Sequence, residues 1–444
     1  YKERYDGEFV CRFDDTDPET KRPDLDAYDA ILDAIDYLGF EPDDVVKASD
    51  RVDIYYDYAR ELIDLSGAYT CSCPQGEFSD LKNSGEACPH REKDTETVAE
   101  EFEAMVDGEY ESGEMVLRVR TDIEHKNPAL RDWVAFRIID TPHPREEAAD
   151  YRCWPMLDFQ SGVDDHLLGI THIIRGIDLQ DSAKRQRFVY DYFDWEYPEV
   201  VHWGHVQVDE YDVKMSTSTL GELIDEGELD GWDDPRAPTV ASLRRRGIRG
   251  EAIVDSMVEL GTSTSDVDLA MSSVYANNRD LIDDETDRAF FVRNSEETGG
   301  VVERQIVGGP DAGEPPLHPD HEDRGHREIP VTAGVLVEGD DLPAHGDRVW
   351  LKGYGCVRHT RDAFEYVGTD ISAVREEGVD VVHWAPADGP ELRVRTMEGD
   401  VTGVVEPGYL DYEADDVLQF ERVGFARVDS VDPEGESVAY FAHP

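Results

Sequence analysis

Positive charge is what this 444-residue sequence has least of. Lysine and arginine together number 43, against 102 aspartates and glutamates, for a formal net charge of -59. In a dilute medium that deficit counts against nucleic-acid binding, which draws its affinity from Lys and Arg neutralising phosphates. The acid is spread along the whole chain, which excludes an acidic interaction tail, and 39% hydrophobic residues exclude a disordered polyanion. Such a surface suits a cytosol of molar salt. There the Debye length is about 3 Å, so self-repulsion and the objection to nucleic acid are both screened.

Long apolar runs are missing too. None reaches the roughly 20 residues that a membrane-spanning helix needs, and no signal peptide is visible. Cysteine is sparse: six in all, three of them in one cluster. Cys11, Cys153 and Cys356 are left over and are expected to be buried free thiols, which excludes a disulfide framework and fits a reducing cytoplasm. No fixed-period repeat or low-complexity tract occurs. The length predicts about two to four domains. The chain opens at Tyr1, without Met, inside what reads as running sequence, so an upstream segment is expected.

What is present begins as an α/β text. "GEFVCRF" (7–13) reads as a buried strand running into the acidic turn "DDTDP". Two amphipathic helices follow. The first, about 24–38, is expected to turn Leu25, Tyr28, Ile31, Leu32, Ile35 and Leu38 inward. The second, about 50–65, is expected to bury Val52, Tyr55, Tyr56, Ala59, Leu62 and Ile63. Residues 69–150 show little long periodicity and read as an insertion. The α/β pattern then resumes: "LLGITHIIRG" (167–176) as a buried strand, 182–193 as helix, "EVVHWGHVQV" (199–208) as another strand. Beyond Lys214 the text reads as helical to about Arg293. From there to the end, short apolar alternations broken by Gly, Pro and Asp predict an all-β barrel or sandwich.

"CSCPQGEFSDLKNSGEACPHRE" holds Cys71, Cys73, Cys88 and His90. Two close pairs of soft ligands can close a tetrahedron around Zn²⁺, and four protein ligands make the site structural. "HWGH" (His202–His205) matches the His-x-Gly-His pattern of adenylate-forming enzymes, but its histidines lie in a strand-like alternation instead of at a helix start. It is rejected as a phosphate-binding pair.

"RFDDTDP" (12–18), "CWPMLDFQSGVDDHLLGITHIIRGIDL" (153–179), "KMSTS" (214–218), "GWDDPRAPT" (231–239), "LRRRG" (243–247) and "VVHWAP" (381–386) occur in that order. Together they resemble the glutamyl-tRNA synthetases of archaeal type, which share their architecture with the glutaminyl enzymes. The resemblance implies a class I Rossmann-like catalytic domain over 1–68 and 151–222, its first strand and histidine signature lying upstream of Tyr1. It also implies a zinc-bearing insertion over 69–150 that holds the acceptor end of tRNA. A helical stem-contact domain would span 223–297, and a β-barrel anticodon-binding region 298–444. The implied reaction activates glutamate with ATP and Mg²⁺, then transfers it to tRNA(Glu), with tRNA(Gln) as a second acceptor left open. A cytoplasmic monomer is expected.

By that resemblance Asp14 is similar to the acid that binds the substrate α-amino group, with Arg12 and Thr16 as neighbours. Arg175 is similar to the reader of the glutamate side chain, which glutaminyl enzymes lack. A guanidinium can grip a carboxylate with two hydrogen bonds. Leu157 stands where the family has Tyr, and Asp158, Gln160 or Ser161 are the candidates to replace its contact. In the ATP loop, Lys214, Ser216, Thr217 and Ser218 are the expected phosphate-binding residues, with Thr217 in place of the second lysine. Arg244, Arg245, Arg246 and Arg249 form a basic patch suited to tRNA phosphates. Trp384 and Tyr354 are candidates for stacking on anticodon bases.

Overall fold

The computed structural model describes residues 1–211 and 216–444, apart from the side chain of Ala373. The chain divides into two compact units, Tyr1–Val206 with Thr262–Val267, and Gln207–Gly261 with Asp268–Pro444.

In the first unit, Val10–Phe13 runs parallel to Asp44–Lys47, with helix Leu25–Tyr37 between them. Asp24 starts that helix by accepting the Asp26 N–H, one of the donors a helix start leaves unpaired. Its expected inward face is poorly covered: Tyr28 is buried, but Leu25 and Ile31 are 49% and 44% exposed. Helix Val52–Asp64 behaves differently, and all six residues expected inside are buried. They join Phe102, Phe136 and Phe159 in one apolar core.

The stretch expected to lack periodicity is regular. Ala68–Cys71, Val116–Val119, Val134–Ile138 and Cys153–Pro155 form an antiparallel sheet in that order. Helices Gln75–Ser84 and Thr95–Val106 lie in the same stretch. The second helix buries Val98, Phe102 and Met105. That spacing is helical, but the glutamates between these residues hide it.

"LLGITHIIRG" is not one strand. Its start closes helix Leu157–Leu167, Gly169 turns the chain at φ 67°, and only His172–Gly176 is extended. A residue with a side chain is disfavoured at that φ. His172–Gly176 then pairs in parallel with Glu199–Trp203 across helix Gln180–Phe193. His202 lies in this strand, away from any helix start, as its alternation predicted.

The second unit opens with helices Thr217–Asp225, Val240–Arg246, Gly250–Leu260 and Met271–Ile282. The helical reading overshoots here, because Asp287–Ala289 and Phe291–Arg293 are strands. Two seven-stranded sheets follow. One runs Asp287–Ala289, Val417–Phe420, Gly424–Ser430, Glu436–His443, Glu391–Arg395, Asp400–Val405, Phe291–Arg293. The other runs Val381–Val382, Arg348–Leu351, Gly355–His359, Ala363–Gly368, Val301–Val307, Val335–Glu338, Ala385–Pro386. Each has its own apolar core, around Phe291 and Phe420 in the first and Val349 and Trp384 in the second. Helix Val240–Arg246 lies against the strands Gly424–Ser430 and Glu436–His443. There the guanidiniums of Arg245 and Arg395 both lie over the buried Tyr440 ring, 4.7 and 5.6 Å from its centroid.

Candidate active site and metal cluster

In the first unit a cleft of about 1250 Å³ is lined by the strands Val10–Phe13 and His172–Gly176 and by one face of helix Leu157–Leu167. Arg12, Asp14, Leu157, Ser161, Asp165 and Arg175 all reach it. In open α/β sheets, ligands gather beyond the carboxyl ends of parallel strands. Arg175 is the penultimate residue of its strand, and Asp14 follows the last residue of the other. The two residues expected to bind substrate are thus brought to one cavity.

Their contacts form a graded network. Arg12 Nε donates to Asp14 Oδ1 at 2.7 Å and Arg12 Nη1 to Asp165 Oδ1 at 2.7 Å. Burial opposes the Arg12 charge, but the two carboxylates outweigh it and hold its pKa above the ordinary arginine range. Gln160 Nε2 also donates to Asp14 Oδ1, at 2.8 Å. Arg175 is less firmly held. Its Nη1 donates to Gln186 Oε1 at 3.2 Å, and its Nη2 lies 3.6 Å from Asp165 Oδ2. Gln186 is fixed in turn by the Tyr197 hydroxyl at 2.6 Å and by donating to Ser161 Oγ at 2.8 Å. Asp165, Gln186 and Tyr197 escaped the sequence reading. The one signal for Asp165 was a pair of adjacent acids, "DD", in helix Leu157–Leu167.

The other expected substrate residues divide. Leu157 is exposed and lines the cleft, as does Ser161, whose hydroxyl donates to the Leu157 carbonyl. Asp158 is closed on Arg185 Nη1 at 2.6 Å, so its carboxylate is already committed. Thr16 is buried. Asp15 is structural: it accepts from the Tyr28 and Ser49 hydroxyls and the Ser49 N–H. Asp17 closes the acidic turn as an Asx turn, its Oδ1 accepting from the Glu19 N–H at 3.3 Å and the Thr20 N–H at 3.0 Å.

In the sheet-bearing stretch of the same unit, ligand atoms of Cys71, Cys73, Cys88 and His90 all lie within 4.8 Å of one another. Tetrahedral sulfurs bound at about 2.3 Å to one ion stand about 3.8 Å apart. The Cys71 and Cys88 sulfurs are 3.9 Å apart, and Cys73 Sγ is 3.3 Å from His90 Nδ1. The four groups are therefore gathered closely enough to close on one small ion. His90 Nε2 lies 3.1 Å from Ser72 Oγ, which fixes the ring and leaves Nδ1 for the metal. The remaining cysteines are free thiols; Cys153 and Cys356 are buried as expected, whereas Cys11 is only half-buried.

The second unit corrects several expectations. Lys214 lies outside the described residues. Ser216 precedes helix Thr217–Asp225 without capping it through its side chain, and Thr217 and Ser218 are exposed in the first turn. Arg246 is 2% exposed and cannot meet a phosphate. It donates to the Phe441 and Ala442 carbonyls and to the Tyr211 and Tyr275 hydroxyls. Arg245 is paired with Asp233 and Asp429. Arg244 and Arg249 are exposed. Trp384 is 0% exposed, with its indole N–H on the Lys352 carbonyl at 3.0 Å, so it is core and no stacking platform. Tyr354 is buried beside it, its hydroxyl on the Pro310 carbonyl.

Residues 1–284 match the family described as tRNA synthetases class I (E and Q), catalytic domain. Residues 286–374 and 381–429 match its two anticodon-binding domains. Among curated relatives, the glutamate–tRNA ligase of Haloarcula marismortui is 82% identical over 446 residues, all of this chain and 77% of its own length. That of Natronomonas pharaonis is 72% identical over 445 residues, and that of Methanosarcina mazei 46% over 457, each covering the whole chain and 77% of the relative. A solved glutamate tRNA ligase from Elizabethkingia meningosepticum aligns at a TM-score of 0.44 and 19% identity, over 63% of this chain and 64% of that one, a likeness too low to bear on the fold. A class I catalytic region followed by β-rich anticodon-binding domains accounts for nearly the whole sequence. The chain belongs to the class I tRNA synthetases of the glutamate and glutamine (E and Q) family.

Proposed function

We propose that the chain is a glutamyl-tRNA synthetase: it activates glutamate with ATP and Mg²⁺, and transfers the glutamyl group to the 3′ end of tRNA(Glu). The observation that carries the glutamate reading is Arg175, an under-partnered guanidinium on the wall of the cleft that also holds Asp14. A guanidinium suits a side-chain carboxylate, and Asp14 suits an α-ammonium. The relatives named above are glutamate–tRNA ligases, which agrees.

Activation is attack of the substrate α-carboxylate on the α-phosphorus of ATP, with pyrophosphate leaving. Such a step needs alignment and charge neutralisation more than a proton donor. Arg175 and Asp14 hold glutamate by its side-chain carboxylate and its α-ammonium, leaving the α-carboxylate to react. Lys214, Ser216 and Ser218 are the groups assigned to the ATP phosphates. Exposed Arg244 and Arg249 are assigned to the tRNA backbone. Catalysis is assigned to 1–68 and 151–222, acceptor-end binding to 69–150, stem contact to 223–297 and anticodon reading to 298–444. Cys71, Cys73, Cys88 and His90 are assigned to a structural zinc that stiffens the acceptor-end insertion. The enzyme works as a cytoplasmic monomer at high salt.

Aminoacylation in molar KCl, with glutamate and glutamine offered separately to tRNA(Glu) and tRNA(Gln), tests this reading. Glutamate is the expected substrate, and Arg175→Ala raises its KM on the order of 100-fold, as losing a charge-assisted pair costs a few kcal/mol. Preferential use of glutamine, or an unchanged glutamate KM, overturns it. Metal analysis of protein purified without chelator is expected to find one zinc per chain, and none overturns the metal assignment.

A further inference from the structure

Adjacent aspartates in helix Leu157–Leu167 are treated in opposite ways. Asp164 is fully buried and satisfied on both oxygens, by Arg51 Nε at 2.8 Å and the Tyr55 hydroxyl at 2.6 Å. It ties the helix to helix Val52–Asp64. Asp165 is 4% exposed, yet only Oδ1 is bonded, to Arg12 Nη1 at 2.7 Å. Oδ2 is buried with no hydrogen-bond partner among the described residues, and Arg175 Nη2 stands 3.6 Å away. A buried acceptor left unpaired costs stability, so its presence calls for an explanation.

Asp165 lies between guanidiniums from two different strands, Arg12 from Val10–Phe13 and Arg175 from His172–Gly176. It lines the same cleft as both. Arg12 is clamped between Asp14 and Asp165, so the carboxylate is anchored on one side. Its second oxygen faces Arg175 from too far for a hydrogen bond but near enough for strong attraction in a buried setting. This arrangement aims a cation without consuming its donors.

We infer that Asp165 is a positioning residue for substrate selection, holding Arg175 by charge so that its donors face the substrate side chain. The inference rests on Arg175 being the glutamate reader. The carboxylate is set by Arg12, Arg175 is set by the carboxylate and by Gln186, and of these groups only Arg175 meets the substrate side chain. Burial pushes the Asp165 carboxyl above its usual range, and the two arginines offset only part of that rise.

The test is a double-mutant cycle in the complete enzyme, reading the KM for glutamate, the KM for ATP and the melting temperature. Asp165→Asn is expected to raise the glutamate KM about tenfold, the scale of coupling between contacting charged groups, and to leave the ATP KM unchanged. In an Arg175→Ala background the same change is expected to do nothing further. A purely structural role would raise both KM values, or multiply the glutamate KM equally in both backgrounds, and either result overturns the inference. Asp165→Glu keeps the charge for folding but displaces the carboxylate; it is expected to raise the glutamate KM less than Asn does, and an unchanged KM in both variants overturns the inference. If Arg175→Ala itself leaves the glutamate KM unchanged, the glutamate reading falls and takes this inference with it. A raised KM in Arg175→Ala with none in Asp165→Asn rejects the role of Asp165 alone.

Discussion

Each unit withdraws an arginine from solvent, and the two are held in contrasting ways. Arg246, in the second unit, spends its donors on two backbone carbonyls at 3.1 and 2.6 Å and two tyrosine hydroxyls at 3.0 and 2.8 Å. Arg175, in the first, has among the described residues one hydrogen bond to a neutral amide at 3.2 Å and one ion pair stretched to 3.6 Å. A guanidinium saturated by its own chain fastens elements together. One left short of partners at a cavity wall is ready for a ligand. Arg246 is buried and Arg175 half-buried, and the number and quality of their partners separate them further.

That contrast can be broken by experiment. The largest effect is expected from Arg246→Ala, which strands two carbonyls and two hydroxyls and removes a buried cation. Unfolding free energy should fall by about 3–5 kcal/mol, measured in molar KCl, with the glutamate KM unchanged. A loss of that size in Arg175→Ala instead would erase the distinction. Next is acid. His443 stacks against Tyr275, itself a partner of Arg246, and burial pushes the imidazole down to about 4. Asn278, Arg279, Arg246 and Phe425 also face it. The ring is neutral when folded and gains a proton more readily when unfolded. Stability from this group is therefore present above its ordinary pKa of about 6.5 and is lost as pH falls toward 4, by roughly 2–3 kcal/mol. His443→Gln should flatten that window in a pH series of denaturant melts. Glu338 extends the acid series. Burial would raise its carboxyl, but His383 and Arg293 outweigh this and hold it at about 2, so its contribution is lost as pH falls from about 4.5 toward 2. The smallest effect belongs to Arg245→Gln. Its pairing with Asp233 and Asp429 is partly solvated, so the expected cost is under about 1 kcal/mol.

How much could be read from the sequence depended on what lay opposite each residue. Helix Val52–Asp64 has a sheet and a second helix to pack on, and every apolar position expected inside is there. Helix Leu25–Tyr37 carries as clear a pattern, but Leu25 and Ile31 stay exposed, because periodicity reports a face and not its covering. The four-stranded sheet of the insertion was hidden by strands of three to five residues, too short to show alternation. The cluster of Cys71, Cys73, Cys88 and His90 was legible because its members are close in sequence. Arg175 and Asp14 were legible through resemblance. Arg246 was misread because "LRRRG" looks alike whether a helix end faces water or a strand, and Trp384 because an indole buried in a sheet and one offered to a base share the same local text. Asp165 was invisible as a partner of Arg12 and Arg175, since charge pairs between a helix and strands distant in sequence leave no local trace.

Tyr440 has a bearing on how such a protein survives its medium. Arg245 and Arg395 both rest on this ring, and each carries its own counter-acid, Asp233 and Asp230. In molar salt, attraction between exposed charges fades within a few ångströms, at a Debye length of about 3 Å. A cation lying on an aromatic face, with water excluded beneath it, works within van der Waals range and does not need a field that reaches through the solvent. For a chain with a formal charge of -59, a ring of this kind is a form of adhesion that brine leaves intact.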